Sequence, residues 1–298
     1  MSRTFRVGDL TIHQLTEFVA PFMPALEMLP ALSPAMLESS RRWMGADALD
    51  ADDAFVLVYQ SYVVRTPQGV VLVDTGVGNG KVRPRPEWHL RDSTGFSEEW
   101  ARVGLEFGDV DDVVCTHFHP DHVGWNTVRD GEKWIPAFPN ARYHFARAEV
   151  AAAEQKHADE GFEPYIDSIL PIIDAGGAVL HDDSFRINDY VRVEPTHGHT
   201  RGHSMVVVGA DHDLAVMTGD LFHVALQLSH PEFAFVRDAD PVESTASRRA
   251  VFKRFAETDT LVCTGHLPAP SVGHLRADER GGYYLETLSE EEIHEGGN

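Results

Sequence analysis

The chain has 298 residues, 43% of them hydrophobic, enough apolar material for one large core or two modest ones. Its 47 acidic residues against 25 basic ones give a formal net charge of −22, which disfavours nucleic acid as a partner, because that binding needs Lys and Arg to neutralise phosphates. The opening MSRTFRVGDL is charged and lacks an apolar run before a small-residue cleavage site, and no stretch reaches the ~18 apolar residues of a membrane span, so a cytoplasmic protein with no membrane partner is expected.

Residues 1–50 read as an N-terminal extension, either pocket-lining or dimer-forming. It has a short strand from Thr11 to Leu15, the Pro- and Met-rich FVAPFMPALEMLPAL, and a helix from Ser33 to Trp43. AFVLVYQSYVVRT, PQG and VVLVDTG predict a hairpin of β-branched strands ending at Asp74 and Gly76. A polar, Pro-rich loop over 80–96 leads into a helix from Ser97 to Val103. VDDVVCTHFH then reads as a short buried strand entering CTHFHPDHVGW. The DGE at 130–132 is a turn, ARYHF at 141–145 a strand, and Arg147–His157 and Glu163–Leu170 are helical. Strands recur at Tyr190–Glu194, Met205–Gly209, Leu214–Met217 and Leu261–Thr264, with a helix over Val242–Ala256 before the last. The acidic, Gly-ended LSEEEIHEGGN predicts a frayed tail over 288–298. Hairpins followed by helices interspersed with short apolar strands point to sheets covered by helices, in a single domain spanning 1–298. Cys115 and Cys263 do not make a disulfide framework and read as reduced core residues at strand ends.

Chemistry concentrates in CTHFHPDHVGW. His117 and His119 alternate, so in an extended segment both point the same way; Pro120 breaks the strand, and Asp121 and His122 follow in the turn. Imidazole nitrogens and a carboxylate suit zinc and related divalent ions. Further donors close other strands: EPTHGHTRGHS brings His199, MTGD brings Asp220 and CTGHLP brings His266. Independent solvated histidines would not fall in that pattern.

VDTG, THFHPDH, GHT, TGD and GH, in this order, resemble the metallo-β-lactamase superfamily over roughly residues 55 to 275. GDLFHVALQL, GHLPAPSVGHLR, HVGWN and FPNARYHF are similar to its methyl parathion hydrolase branch, and acyl-homoserine-lactone lactonases resemble the chain more distantly. Where lactonases carry tyrosine three residues after the TGD aspartate, this chain has His223. The resemblance implies an α/β protein with an αβ/βα sandwich, two mixed β-sheets flanked by helices. It also implies two divalent metal ions, zinc first, with manganese, cobalt or iron acceptable to the same ligands. His117, His119 and His199 would hold one ion, Asp121, His122 and His266 the other, and Asp220 would bridge them. Asp74 would lie beneath, bonded to the ligand loops, and His203 would support a ligand in the same way.

The expected activity is a dinuclear metal-dependent hydrolase, in which a bridging hydroxide attacks a small apolar ester, lactone or phosphotriester. Asp121, Asp220 and His223 are the catalytic candidates, with His223 touching substrate or protonating a leaving group. Phe118, Trp125, Phe222 and Leu226, with the apolar segment Phe18–Leu32, are candidate walls of a pocket above the metals, and His274 could approach it. His197 reads as a neighbour of the site; His89, His144, His157, His181, His212 and His230 read as ordinary residues. Alternatives are an iron-dependent oxidoreductase of the same superfamily or an inactive metal-binding protein. A small-molecule substrate is the expected partner, in a possible homodimer.

Overall fold

The computed structural model describes residues 3–182, 184–210, 213–269, 271–288 and 293. His212 and most of the expected 288–298 tail lie outside these residues. The first sheet holds β1 (Arg3–Val7), β2 (Leu10–Pro24), β3 (Ala54–Thr66), β4 (Gly69–Val73), β5 (Asp112–Val114), β8 (Arg142–Ala146) and β9 (Ala178–His181), in the order β1-β2-β3-β4-β5-β8-β9. β6 (Thr127–Asp130) and β7 (Lys133–Pro136) form a separate hairpin around Gly131 and Glu132. The second sheet runs in sequence order through β10 (Phe185–Arg186), β11 (Val191–Pro195), β12 (Ser204–Ala210), β13 (Asp213–Met217), β14 (Leu261–Cys263), β15 (Val272–Ala277) and β16 (Tyr283–Thr287). Both sheets are mixed: β4, β5, β8 and β9 are parallel to one another, as are β13 and β14, and the other pairs within these sheets are antiparallel. The helices are α1 (Ala25–Met28), α2 (Pro34–Met44), α3 (Gly95–Arg102), α4 (Arg147–Glu160), α5 (Leu170–Asp174), α6 (Leu226–Ser229) and α7 (Pro241–Phe255). No helix of the described residues is long and apolar enough to cross a membrane.

The strands sort their side chains by the two-residue period of a pleated strand. Val64, Val71, Val73 and Val114 of the first sheet meet Val193, Val206, Val208, Ala215 and Met217 of the second, making the inter-sheet core. The alternate residues face outward: Val63, Leu72 and Val113 pack with the aromatics of α3, and Met205, Val207 and Val216 pack against Phe252 and Phe255 of α7. This is the αβ/βα sandwich. Both cysteines are free and buried.

Several elements differ from the sequence expectation. β2 continues past Leu15 to Pro24. Beyond Gln14 it pairs only with β3, with register shifts at Thr16/Phe18 and Pro21/Met23, so the prolines occupy an open edge where a missing N–H costs nothing. Ala25, Met28, Leu29 and Leu32 are buried within their own chain, and Val19, at 54% exposure, remains outside. Leu288, expected in a frayed tail, is 8% exposed in the inter-sheet core, and Ile293 packs against it.

Three devices position the loops at the ligand-bearing end. Gly124 N donates to Gly76 O (2.7 Å) and Trp125 N to Thr75 O (2.8 Å), bringing two backbones into contact; a Cβ on Gly124 would overlap the Val77 carbonyl. Residues 80–91 form an Ω-loop whose neck is closed by Gly80 N to Arg91 O and Leu90 N to Lys81 O, both 2.7 Å. Inside it, fully buried Lys81 donates to Thr127 Oγ1 (2.7 Å) and Asp167 O (2.9 Å), while Arg83 grips Asp167 with both Nη atoms (2.6 and 2.8 Å). On the opposite side, buried Arg248 of α7 donates to the carbonyls of Leu221 (2.8 Å), Pro231 (2.9 Å) and Phe233 (2.9 Å), clasping the segment after β13. Replacing Gly124 by alanine is expected to cost at least about 3 kcal/mol, because backbone rather than a side chain must move. Gly131→Ala, whose Cβ meets nothing within 4 Å, is expected to cost about 1 kcal/mol for its positive φ. Paired thermal denaturation curves measure the contrast, and equal losses would disprove it.

Candidate metal centre

The C-terminal ends of β4 and β5, and of β13 and β14, lie side by side: Val73 is opposite Val114, and Met217 opposite Cys263. Asp74 follows β4 at φ 58°. Its Oδ1 accepts the Thr116 N–H (2.7 Å), and its Oδ2 takes the Thr116 hydroxyl (2.9 Å) and His122 Nδ1 (2.8 Å). With the backbone of Thr116 captured, β5 stops at Val114, short of the extended strand expected through His119. His117 and His119 converge from a loop instead, with ring centroids 4.6 Å apart.

His199 arrives on the β11–β12 connection, Asp220 in a turn after β13 and His266 after β14. Ligand atoms of His117, His119, His199 and Asp220 lie within 4.8 Å of one another, as do those of Asp121, His122 and His266. Asp220 faces both sets. Its Oδ2 is 3.5 Å from His117 Nε2 and 3.2 Å from His199 Nε2; its Oδ1 is 3.1 Å from His122 Nε2 and 3.0 Å from His266 Nε2. Asp121 Oδ2 is 3.6 Å from His266 Nε2.

The hydrogen-bond chemistry of this cluster calls for a cation. His122 gives its Nδ1 proton to Asp74, His266 to the Val58 carbonyl (2.9 Å) and His199 to Asp238 Oδ1 (2.8 Å). Each ring, as the neutral tautomer, then turns a bare Nε2 lone pair inward. Two of these, on His122 and His266, are 3.2 Å apart, and His199 Nε2 is 3.0 Å from His119 Nδ1. Lone pairs facing at that distance repel unless a positive charge lies between them. His117 Nε2 and Asp220 Oδ1 are buried without a hydrogen-bond partner. The donor set of imidazoles and carboxylates, with its outer nitrogens tied down, fits a dinuclear metal site.

The charges agree. Against burial, Asp220, Asp74 and Asp121 hold the His122 pKa above its ordinary value, and Asp220 and Asp121 do the same for His266. His199 is pushed up to about 9 by Asp220 and Asp238 in spite of its burial. Burial and neighbouring imidazoles lower His117 and His119, and the surrounding histidines hold Asp220 well below the carboxylate range despite its own burial. Protons and dications therefore compete for the same nitrogens.

His203 is buried and lowered to about 3 by burial, with His199 adding to the effect; its Nε2 accepts the Asp220 N–H (3.0 Å) while Nδ1 faces Thr196 O (3.0 Å). It holds the backbone of the turn carrying Asp220. His223 Nε2 meets Asp220 Oδ2 at 3.1 Å, and burial lowers its pKa. Its Nδ1 is buried without a hydrogen-bond partner.

The expected pocket walls are mostly elsewhere. Phe118 packs edge-on to Phe145 (4.9 Å), Trp125 stacks on Phe96 (5.1 Å) and donates to Glu17 Oε1 (2.9 Å), and Phe222 packs on Phe252 (5.4 Å); all three are core residues. Leu226 is fully buried beside Val224 and Phe233. His274 lies in β15 opposite Leu261 and lines a separate small cavity with Phe5 and Asp259. In a loop that turns its ligands inward, sequence neighbours point the other way, so adjacency misassigned them. The rings beside the ligands instead close a circuit: His266–Tyr59 (5.6 Å), Tyr59–Trp88 (5.7 Å), Trp88–Phe22 (6.3 Å), Phe22–Phe235 (6.2 Å), Phe235–His223 (4.5 Å) and His223–His266 (5.8 Å). Phe22 belongs to the Phe18–Leu32 segment. Tyr59, Trp88, Phe235 and Asp238 carry no motif, and sequence reasoning missed them.

Asp238→Ala frees the outer nitrogen of His199 and is expected to weaken zinc binding by about ten- to a hundredfold in chelator competition; unchanged affinity would refute the assignment. Zinc loading at neutral pH is expected to displace protons from His199, His122 and His266, making the calorimetric binding enthalpy depend on the buffer. A buffer-independent enthalpy would contradict this charge balance.

Comparison with known proteins agrees with the fold. The sequence profile of the metallo-beta-lactamase superfamily matches residues 55–266. Two proteins named as probable metallo-hydrolases, from Mycobacterium bovis and Mycobacterium tuberculosis, are each 28% identical over 196 residues, 54% of this chain and 56% of theirs. The chain thus spans about half the length of these curated relatives. Among solved structures, AidC, a dizinc quorum-quenching lactonase in complex with a product, superimposes with a TM-score of 0.79 at 23% identity, covering 97% of each chain. With its profile matched across both sheets and every ligand-bearing strand end, the chain belongs to the metallo-beta-lactamase superfamily.

Proposed function

We propose that the protein is a dinuclear metal-dependent hydrolase of a small ester, lactone or phosphotriester. The observation that carries this reading is Asp220, one carboxylate oxygen within 3.5 Å of His117 and His199 Nε2 and the other within 3.1 Å of His122 and His266 Nε2. His117, His119 and His199 would hold one ion, Asp121, His122 and His266 the second, and Asp220 both. Two such dications, when bound, supply hydroxide at neutral pH and a Lewis acid for a carbonyl or phosphoryl oxygen.

The chain's own residues do the rest. Asp74, Asp238 and the Val58 carbonyl fix the tautomers of His122, His199 and His266, so that each turns Nε2 inward. His203 and His223 hold Asp220 from its backbone and its Oδ2. The site opens on the side of His119 and Pro120, which are half-buried while the other ligands are buried. The circuit of rings excludes water around that opening and favours an apolar body next to the reacting group. A lactone substrate draws support from AidC, whose bound product is a homoserine derivative.

Metal-depleted protein is expected to be inactive on aryl esters, lactones and a phosphotriester, and to regain turnover with Zn²⁺ or Mn²⁺. Asp220→Ala should lose bound metal and more than about a hundredfold in kcat/KM. Full activity in that variant would sink the mechanism, and tight stoichiometric iron after growth with both metals supplied would redirect it toward oxidation.

A further inference from the structure

Arg85 sits at the tip of the Ω-loop, its guanidinium 3.7 Å from the centroid of Phe22 and 5.3 Å from that of Trp88, two members of the ring circuit. One nitrogen, Nη1, donates to Phe22 O (2.6 Å). Its Nε is buried without a hydrogen-bond partner, and so is the indole Nε1 of Trp88, itself 5% exposed. Both groups are donors only, so what this part of the mouth lacks is an acceptor. Arg237, exposed and next to the His199 anchor Asp238, adds a second positive charge near enough to act on Arg85. Neither arginine forms an ion pair among the described residues. Arg85 also senses the metal end of the site: burial lowers its pKa, Arg237 lowers it further, and Tyr59 and Asp121 act in the other direction.

We propose that Arg85, backed by Arg237 and the Trp88 N–H, is a specificity-determining residue that holds a carboxylate of the substrate, so that the site prefers esters or lactones carrying an acidic group to neutral ones. This rests on the hydrolase reading above. A partly desolvated cation with a second, exposed cation near it favours a counter-anion, and unpartnered donors need lone pairs; a carboxylate supplies both, and the fork of Arg suits it. In a chain of net charge −22 an anionic substrate is repelled by the molecule at large, so selectivity for it requires a local cationic station at the mouth. The competing view makes Arg85 a cation–π staple for the loop. Arg91 is such a staple, with its guanidinium 3.7 Å from the Phe18 centroid and Nη1 on the Glu87 carbonyl (2.9 Å); its Nε is likewise buried without a partner, but Phe18 is outside the ring circuit, so Arg91 serves as the control.

The test uses the zinc-loaded full chain and two aryl esters of equal length, para-nitrophenyl hydrogen glutarate and para-nitrophenyl valerate. The wild type is expected to favour the glutarate ester in kcat/KM, by an excess that shrinks as salt is added. Arg85→Met should reduce the glutarate-to-valerate ratio by about tenfold or more, chiefly through KM, with Arg237→Met acting in the same direction more weakly and Arg91→Met leaving the ratio alone. Arg85→Lys, which keeps the charge over Phe22, guards against simple misfolding and should retain part of the preference. Calorimetric binding of glutaramate, an unreactive monoamide, reads the same contact without turnover: it should weaken about tenfold in Arg85→Met. Failure of both esters to turn over, with glutaramate still dependent on Arg85, would fault the hydrolase reading and leave the contact standing. Absence of any preference, equal losses on both esters, or glutaramate bound to the metals alone and indifferent to Arg85 would overturn the proposal.

Discussion

A single desolvated carboxylate organises this molecule's functional end. Asp220 is 3% exposed and has imidazole nitrogens of His117, His199, His122, His266 and His223 within 3.5 Å. Burial alone would neutralise it; the convergence of nitrogens keeps it an anion. The nitrogens of His122, His199 and His266 are aimed from outside by Asp74, Asp238 and the Val58 carbonyl, and His203 holds the backbone of Asp220 itself. Two sheets have to bring their strand ends to one edge for this to happen, and the sandwich does so by running β4 with β5 and β13 with β14 in parallel.

The residues that converge around Asp220 were legible in the sequence because they obey spacing. The stretch His117 to His122, with single donors closing later strands, is a pattern that chance surface histidines do not produce, and the order of VDTG, THFHPDH, GHT, TGD and GH carried the fold with it. Asp74 and His203 were legible for the same reason. What was not legible depends on tertiary direction. Trp125 is three residues from His122, yet its ring stacks on Phe96 in the core, whereas Trp88, 29 residues before His117 and in a Pro-rich loop, joins the ring circuit. Asp238 has no motif around it; only the turn that brings the Phe235 N–H onto its Oδ2 (3.0 Å) aims its other oxygen at His199. The continuation of β2 through Pro21 and Pro24 was hidden because propensity speaks against it, and only the open edge removes the objection.

Buried acids play parts beyond the metal end. Glu17 of β2 accepts the N–H groups of Val77 (2.7 Å) and Gly78 (3.2 Å) as well as the Trp125 indole, and Glu149 of α4 accepts from Phe118 N (3.0 Å) and Gly202 N (2.7 Å). Each thus fastens two loops to a single buried carboxylate. Burial raises the pKa of Glu17, a sign that its hydrogen bonds only partly offset desolvation. Such residues read as surface charges in a sequence, and their work is to turn loops into fixed supports.

The clasp of Arg248 gives the two walls of the site different mechanics. On one side, the segment bearing Phe235 and Asp238 is gripped at the carbonyls of Leu221, Pro231 and Phe233 by a rigid, fully buried fork, so it can move only together with α7. On the other, the tip carrying Arg85 and Trp88 hangs from a narrow neck, with Val82 and Leu90 at 51% and 53% exposure beside it. The two plates of the mouth are thus anchored at different places, one through Arg248 to α7 and the other through Lys81 and Arg83 to Asp167, and neither anchor is a metal-facing nitrogen. Substitutions at the Asp167 anchor can therefore reshape the wall that carries Arg85 and Trp88 while the geometry around Asp220 stays as it is.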